Sequence, residues 1–352
     1  MKAKWIGLLL LIVVALGAVG YVWFSQTTQV TEITGYVGGE KIGLLEDEQV
    51  RKILKDKYRL SLDYNRAGSI EMVTTLDRAG QDFLFPSNQT ALELFEGEEG
   101  SPEKSQIVFN TPIVLYTHAT VADALKAQNI AQESGGITTV DMEALTELIE
   151  SGTEWADIGL PALYGTVSVG TTDPAKSNSG NMFAGLLANT LAGGVAAEED
   201  LPAVLPRLQT IFQRLGYMES SSSDLFDQFL KTGMGAKPLI AGYESQLLEF
   251  AVQEPETWEQ IKGDIVLVYP TPTVWSSHVF IALDEAGALG IDALLDEEVQ
   301  RLAWENHGFR TGVYDAPTDT AQFGVEGVAE EVTQVAPMPG APVMEAIIAA
   351  LS

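Results

Sequence analysis

The chain of 352 residues contains no cysteine. That excludes a disulfide framework, a thiolate metal centre, a cysteine nucleophile and a lipid anchor attached through Cys. Histidine is nearly as scarce: His118, His278 and His307 are scattered, so no His-rich metal site is expected. Basic residues are few, 20 Lys and Arg against 49 Asp and Glu, for a net charge of −29. A surface of that sign repels polyanions and makes nucleic acid a poor partner. It leaves room for a small anion, because short-range hydrogen bonds from backbone dipoles outweigh a screened distant field.

What the chain does have begins with residues 5–24, WIGLLLLIVVALGAVGYVWF, an uncharged run preceded by Lys2 and Lys4. At 1.5 Å per residue, ~20 residues match a ~30 Å hydrocarbon core. Tyr21, Trp23 and Phe24 continue past Ala18-Val-Gly20, the small-residue exit that a cleaved signal would use. Residues 1–25 are therefore expected to be a membrane anchor or signal, with an uncleaved anchor preferred. The positive-inside rule then puts Lys2 and Lys4 in the cytoplasm and residues 25–352 outside it, as a single-pass protein of the cell membrane.

Further on, strand and helix patterns alternate. Strands are expected at 33–37, 59–64 and 82–85, with helices at 47–58, 69–79 and 88–96. This βαβαβ order implies a parallel sheet with right-handed crossovers. Two long β-rich runs, 107–117 and 264–283, then flank a complete α/β block. That block has strands expected at 166–170 and 238–243, and helices at 120–128, 141–151, 179–193, 201–216 and 222–232. Helices at 285–295, 296–306 and 343–351 follow, the last after a Pro/Gly-punctuated segment. A chain that leaves one lobe, builds a second and returns makes two hinge crossings with a cleft between the lobes. The expected lobes are 30–113 with 272–352, and 114–271.

One stretch looks like nucleotide chemistry. Gly170-Thr-Thr-Asp-Pro-Ala-Lys-Ser177 is one substitution from the phosphate-binding loop G-x-x-x-x-G-K-[ST]. The second glycine, however, is Ala175, and Pro174 before it has no N–H to aim at a phosphate. What remains is Ser177-Asn178-Ser179-Gly180 opening a helix. Such a turn either caps the helix or offers its free N–H groups and hydroxyls to an oxyanion or carboxylate. Ser69 and Ser87 occupy comparable turns at the carboxyl ends of strands, where open α/β sheets bind ligands. Tyr243 and Glu244 end another strand. Glu244, like Glu40, either meets a ligand cation or complements a helix dipole. Arg310 has the geometry to grip a carboxylate bidentately, but a surface pair is the plainer reading. Ser101-Pro-Glu-Lys104 matches S-x-x-K in a polar loop without its supporting motifs. Ser220–Ser223 reads as loop and cap, and the acidic pairs as solvated surface. No nucleophile and base come together in a recognisable order, so hydrolysis has no positive case.

Several of these residues carry a resemblance. Gly38-Gly-Glu-Lys41, Arg66-Ala-Gly-Ser-Ile-Glu71, Phe109-Asn-Thr-Pro-Ile-Val-Leu-Tyr116, Thr172-Asp-Pro-Ala-Lys-Ser-Asn-Ser-Gly180 and Ala241-Gly-Tyr-Glu-Ser245 resemble extracytoplasmic solute-binding proteins of the type II periplasmic class, over roughly residues 30–312. The resemblance implies a two-lobed α/β fold that closes on a small polar or anionic ligand and serves an ABC-type permease. A sensor or assembly role without transport is the alternative. No catalysis, cofactor or metal is implied. The expected ligand-binding residues are Glu40, Ser69, Ser87, Ser177, Asn178, Ser179, Tyr243 and Glu244.

Overall fold

The computed structural model describes residues 30–311 and 319–352. The expected membrane segment therefore lies outside the described residues. Among those described, no helix is long and apolar enough to cross a membrane.

The strands are β1 (Thr31–Val37), β2 (Leu60–Arg66), β3 (Phe83–Phe85), β4 (Lys104–His118), β5 (Ala131–Ser134), β6 (Ile137–Asp141), β7 (Leu239–Tyr243), β8 (Ile265–Thr271), β9 (Trp275–Ala282) and β10 (Arg310–Thr311). In the first lobe β1 pairs in parallel with both β2 and β3, as the βαβαβ pattern predicts. Helix Glu48–Tyr58 makes the first crossover. Its Asp47 cap accepts from the Gln49 and Val50 N–H groups, and Arg59 ends it in the left-handed region at φ 54°.

β4 joins the lobes. Residues 104–112 pair with β9 in the first lobe, whereas 113–118 pair with β7 and β8 in the second. The expected second crossing, 264–283, is two strands. β8 belongs to the second lobe and β9 to the first, and residues 272–274 carry the chain between them. Pro272 within this link lacks the N–H that an unbroken strand would need.

Other expectations change in detail. Residues 166–170 form isolated bridges to Glu154 and Ile240 rather than a strand. The helix after Ser69 is only Glu71–Thr74, because Gly68, Ser69 and Ile70 are used as a turn. The β5–β6 hairpin turns at Gly135-Gly136, both at positive φ. This hairpin and helices Glu244–Gln253 and Pro255–Ile261 went unrecognised in the pattern.

Each lobe has its own core. Phe83, Phe85, Phe109 and Phe280 anchor the first. Leu115, Val140, Phe183 and Leu208 lie in the second, and Val343, Met344 and Ile347 of the C-terminal helix Ala341–Leu351 pack with them.

Candidate functional site

A cleft of about 210 Å³ opens where the two lobes face each other. The first lobe contributes residues 38–40 after β1, and 66–69 with Glu71 after β2. The second contributes Lys176, Ser177, Asn178 and the loop Ser220–Ser222. Two helices of the second lobe, Asn178–Ala192 and Ser222–Thr232, begin here. Their N-cap residues, Ser177 and Ser221, do not cap a first-turn N–H with their hydroxyls. The helix N–H groups are thus left for an anion, at the positive ends of two macrodipoles. Gly180 permits one of these starts: a Cβ there would lie 2.2 Å from the Thr172 carbonyl oxygen. The lobes touch beside the cleft, where a Cβ on Gly68 would lie 2.9 Å from the Lys176 carbonyl oxygen.

Ser87 organises the floor. Its N–H donates to Ser69 Oγ at 2.9 Å, and its carbonyl accepts from Ser276 Oγ at 2.6 Å and Asn178 Nδ2 at 3.1 Å. Its hydroxyl accepts from Lys41 Nζ at 2.6 Å and donates to Glu40 Oε1. Lys41 is completely buried. Its ammonium also donates to Glu40 Oε1 at 2.5 Å and lies 3.3 Å from His278 Nδ1. Burial alone raises a carboxyl pKa, but the Lys41 charge and the Lys41 and Ser87 hydrogen bonds outweigh it and hold Glu40 at about 2. Burial pushes Lys41 down, against the pull of Glu40. His278 is pushed well down by burial and by the Lys41 charge, so it is a neutral imidazole.

Asn178 ties the lobes together. Its Oδ1 accepts from the Asn88 amide of the first lobe, and its Nδ2 also reaches Tyr243 Oη at 3.0 Å. Asn181, one turn into the same helix, is buried with neither amide atom partnered, beside a void of about 10 Å³ adjoining the cleft. That is about the room for one water.

The eight sequence candidates separate into three groups. Glu40, Ser69, Ser177 and Asn178 line the cleft. Ser87, Ser179 and Tyr243 stand behind it as buried supports; Ser179 Oγ bonds Thr172 Oγ1 at 2.8 Å. Glu244 does not line it. Its carboxylate is taken by Arg310 Nε at 2.7 Å and Nη2 at 2.9 Å and by the Tyr269 hydroxyl. Arg310, expected at the surface, is buried and also donates to the Ala329 and Glu330 carbonyls. The sequence reading missed Lys41, Arg66 and Glu71, although the segments that carry the resemblance include all three. It also missed Ser220–Ser222, read as a cap and loop: the helix start was visible, its orientation was not.

This architecture, two α/β lobes joined by two crossings with a cleft at the strand ends, is the type II fold of extracytoplasmic solute-binding proteins. Among solved structures the chain is similar to a substrate-binding protein of an ABC transporter from Agrobacterium tumefaciens, at 13% identity and TM-score 0.57 over 93% of this chain and 96% of that one. It is similar to iron-bound HitA from Pseudomonas aeruginosa, at 11% identity and TM-score 0.57 over 92% and 99%. It is also similar to the sulfate-binding protein SubI from Mycobacterium tuberculosis H37Rv, at 15% identity and TM-score 0.50 over 84% and 89%. These likenesses are of fold. No protein-family model matches the chain, nor does any curated protein.

Proposed function

We propose that this chain is an extracytoplasmic solute-binding protein that captures a small anionic ligand between its lobes and delivers it to a membrane permease. The observation that carries the reading is the convergence of two helix starts with unspent serine caps on one interlobe cleft. Arg66 faces them from the other lobe without an ion-pair partner among the described residues. Preorganised N–H donors in such a cleft replace the water shell of an oxyanion without the cost of reorienting. The solved structures of similar fold include binding proteins for sulfate and iron, which supports solute capture as the use of this fold. Binding needs no catalysis: the work is the higher affinity of the closed form over the open one.

The apolar run 5–24 supports a membrane anchor at residues 1–25, with the binding domain outside the cytoplasm. The lobe limits 30–113 and 114–271, with return to the first lobe at 272, are part of the same reading. The packing of the last helix favours counting 341–351 with the second lobe.

Calorimetric titration with sulfate, phosphate, acetate and glycine, beside small-angle scattering, tests this. Saturable binding with a smaller radius of gyration is expected. A radius unchanged at saturation would overturn closure, and no binding by any of the four would overturn small-anion capture.

A further inference from the structure

We propose that Lys41 is the positioning residue of this cleft, holding Glu40 as a fixed hydrogen-bond acceptor, so that the ligand is a small acid bearing its own N–H or O–H donor. This rests on the cleft being the solute site.

Lys41 cannot touch the ligand. An ammonium has three N–H donors, and three acceptors surround Nζ: Glu40 Oε1 at 2.5 Å, Ser87 Oγ at 2.6 Å and His278 Nδ1 at 3.3 Å. It is fully buried, with the Phe85 ring 4.8 Å below it. Since Lys41 only donates, His278 Nδ1 accepts and the ring proton sits on Nε2. All of this effort converges on one carboxylate oxygen. Oε1 accepts from Lys41 and Ser87, whereas Oε2 has no hydrogen-bond partner among the described residues. Glu40 itself lines the cleft.

Two consequences follow. A carboxylate is acceptor-only when ionised, so whatever meets Oε2 must bring a hydrogen. A bare carboxylate would also repel an anion from a cleft in a chain of net charge −29, and the adjoining ammonium cancels that charge locally. The pair therefore adds a demand for a donor without spoiling the anion site formed by the helix starts. The titratable groups facing Glu40 are Lys41 beside it, His278 from β9 and Tyr243 from β7, with Arg66, Glu71 and Lys176 along the cleft wall.

The test uses the full-length protein and two probe pairs: glycine against acetate, and phosphate against sulfate, each pairing a donor-bearing acid with a donor-free one. A preference of tenfold or more for at least one donor-bearing member is expected, the worth of one hydrogen bond to a charged group. Glycine preferred over acetate assigns an amino acid head, and phosphate over sulfate a protonated oxyanion. If probes bind without such preference, the inference falls while anion capture stands; if none binds, both fall. Lys41→Met should erase the preference at neutral pH in a variant whose melt remains cooperative, and a preference retained in that variant would overturn the role of Lys41. Should Lys41→Met not fold, the wild-type pH profile decides. For whichever donor-bearing probe is preferred, affinity should hold from neutral pH to about 4, close to the ordinary glutamate value. Loss of affinity across that interval, beyond any change in the probe's own charge, would mean that Glu40 is not held ionised.

Discussion

Glu40 and Glu244 read alike in the sequence: each follows a strand of an α/β lobe and opens a helical turn. In the fold Glu244 is fully buried, while the Glu40 side chain keeps 7% of its surface exposed. Each is paired with a cation and a hydroxyl, Lys41 and Ser87 in one case, Arg310 and Tyr269 in the other. Yet one lines the cleft and the other is sealed in the protein. The difference lies in the cation. The guanidinium of Arg310 engages both oxygens of Glu244, and Tyr269 adds a second donor to Oε2. The ammonium of Lys41 engages one oxygen of Glu40 and leaves the other. A fork-shaped donor closes a carboxylate, whereas a point-like donor holds it and leaves it open.

The largest effect that would break this comparison belongs to the sealed pair. Arg310→Met should leave Glu244 buried without its cation and cost about 3–5 kcal/mol of stability. Denaturant unfolding measures this, and ligand affinity in the surviving folded fraction should stay near wild type. A cost below ~1 kcal/mol would mean that water or a rearranged loop reaches Glu244, and that the two glutamates are less different than their geometry implies.

The open pair should show itself in acid. Because the Glu40 pKa is depressed to about 2 from 4.5, its contribution is fully present above 4.5 and is lost as pH falls toward 2. That difference corresponds to about 3 kcal/mol for the ion in isolation, less whatever burial of Lys41 costs. Between pH 5 and about 2, wild-type stability should therefore fall more steeply than that of a folded Lys41→Met, Glu40→Gln double variant, which lacks both charges. Parallel profiles would show that Glu40 is not held ionised by its neighbours.

The same division, facing the cleft or backing it, governs how much was legible. Parallel pairing of β1 with β2 and β3, the long β4 and the two-lobed plan follow from period and order, which local sequence carries. Residues that turn inward at strand ends were legible as a group: Glu40, Ser69, Ser177 and Asn178 share one cleft. Which member of a turn faces the cleft was not legible, because Ser177 and Ser179 differ only in helical phase and in what packs behind them. Arg310 was misjudged for a similar reason. Its partner is 66 residues distant, and no local pattern encodes that meeting.

Ser177 and Ser179 give a smaller, sharper contrast. Ser177 Oγ lines the cleft, and among the described residues its hydrogen-bond partner is Ser179 Oγ, at 3.2 Å. Ser179 Oγ is buried against Thr172. Ser177→Ala should weaken binding of the preferred anion by about tenfold or more with little change in melting. Ser179→Ala should instead cost roughly 1 kcal/mol of stability, leaving affinity nearly intact. If both serines moved affinity equally, the helix start would be presenting a different face from the one seen here.

The smallest effect separates two lysines. Lys41 is buried beneath the cleft, whereas Lys176 stands at its rim, its side chain 67% exposed and 3.0 Å from Asp173. An exposed pair of this kind contributes ~0–1 kcal/mol, so Lys176→Ala should leave the melting temperature almost unchanged. Its charge should still draw an anion in, by an amount that salt removes: the Debye length shrinks from about 10 Å at 0.1 M to about 3 Å at 1 M. Affinity of the alanine variant should be a few-fold weaker than wild type at low salt and indistinguishable at high salt. Discrimination by Glu40 should persist at both, because Lys41 acts within contact distance and out of reach of screening ions. A donor preference that faded with salt in step with the Lys176 effect would place the selecting carboxylate at the solvent-exposed rim, and the contrast between the buried and exposed cations would be lost.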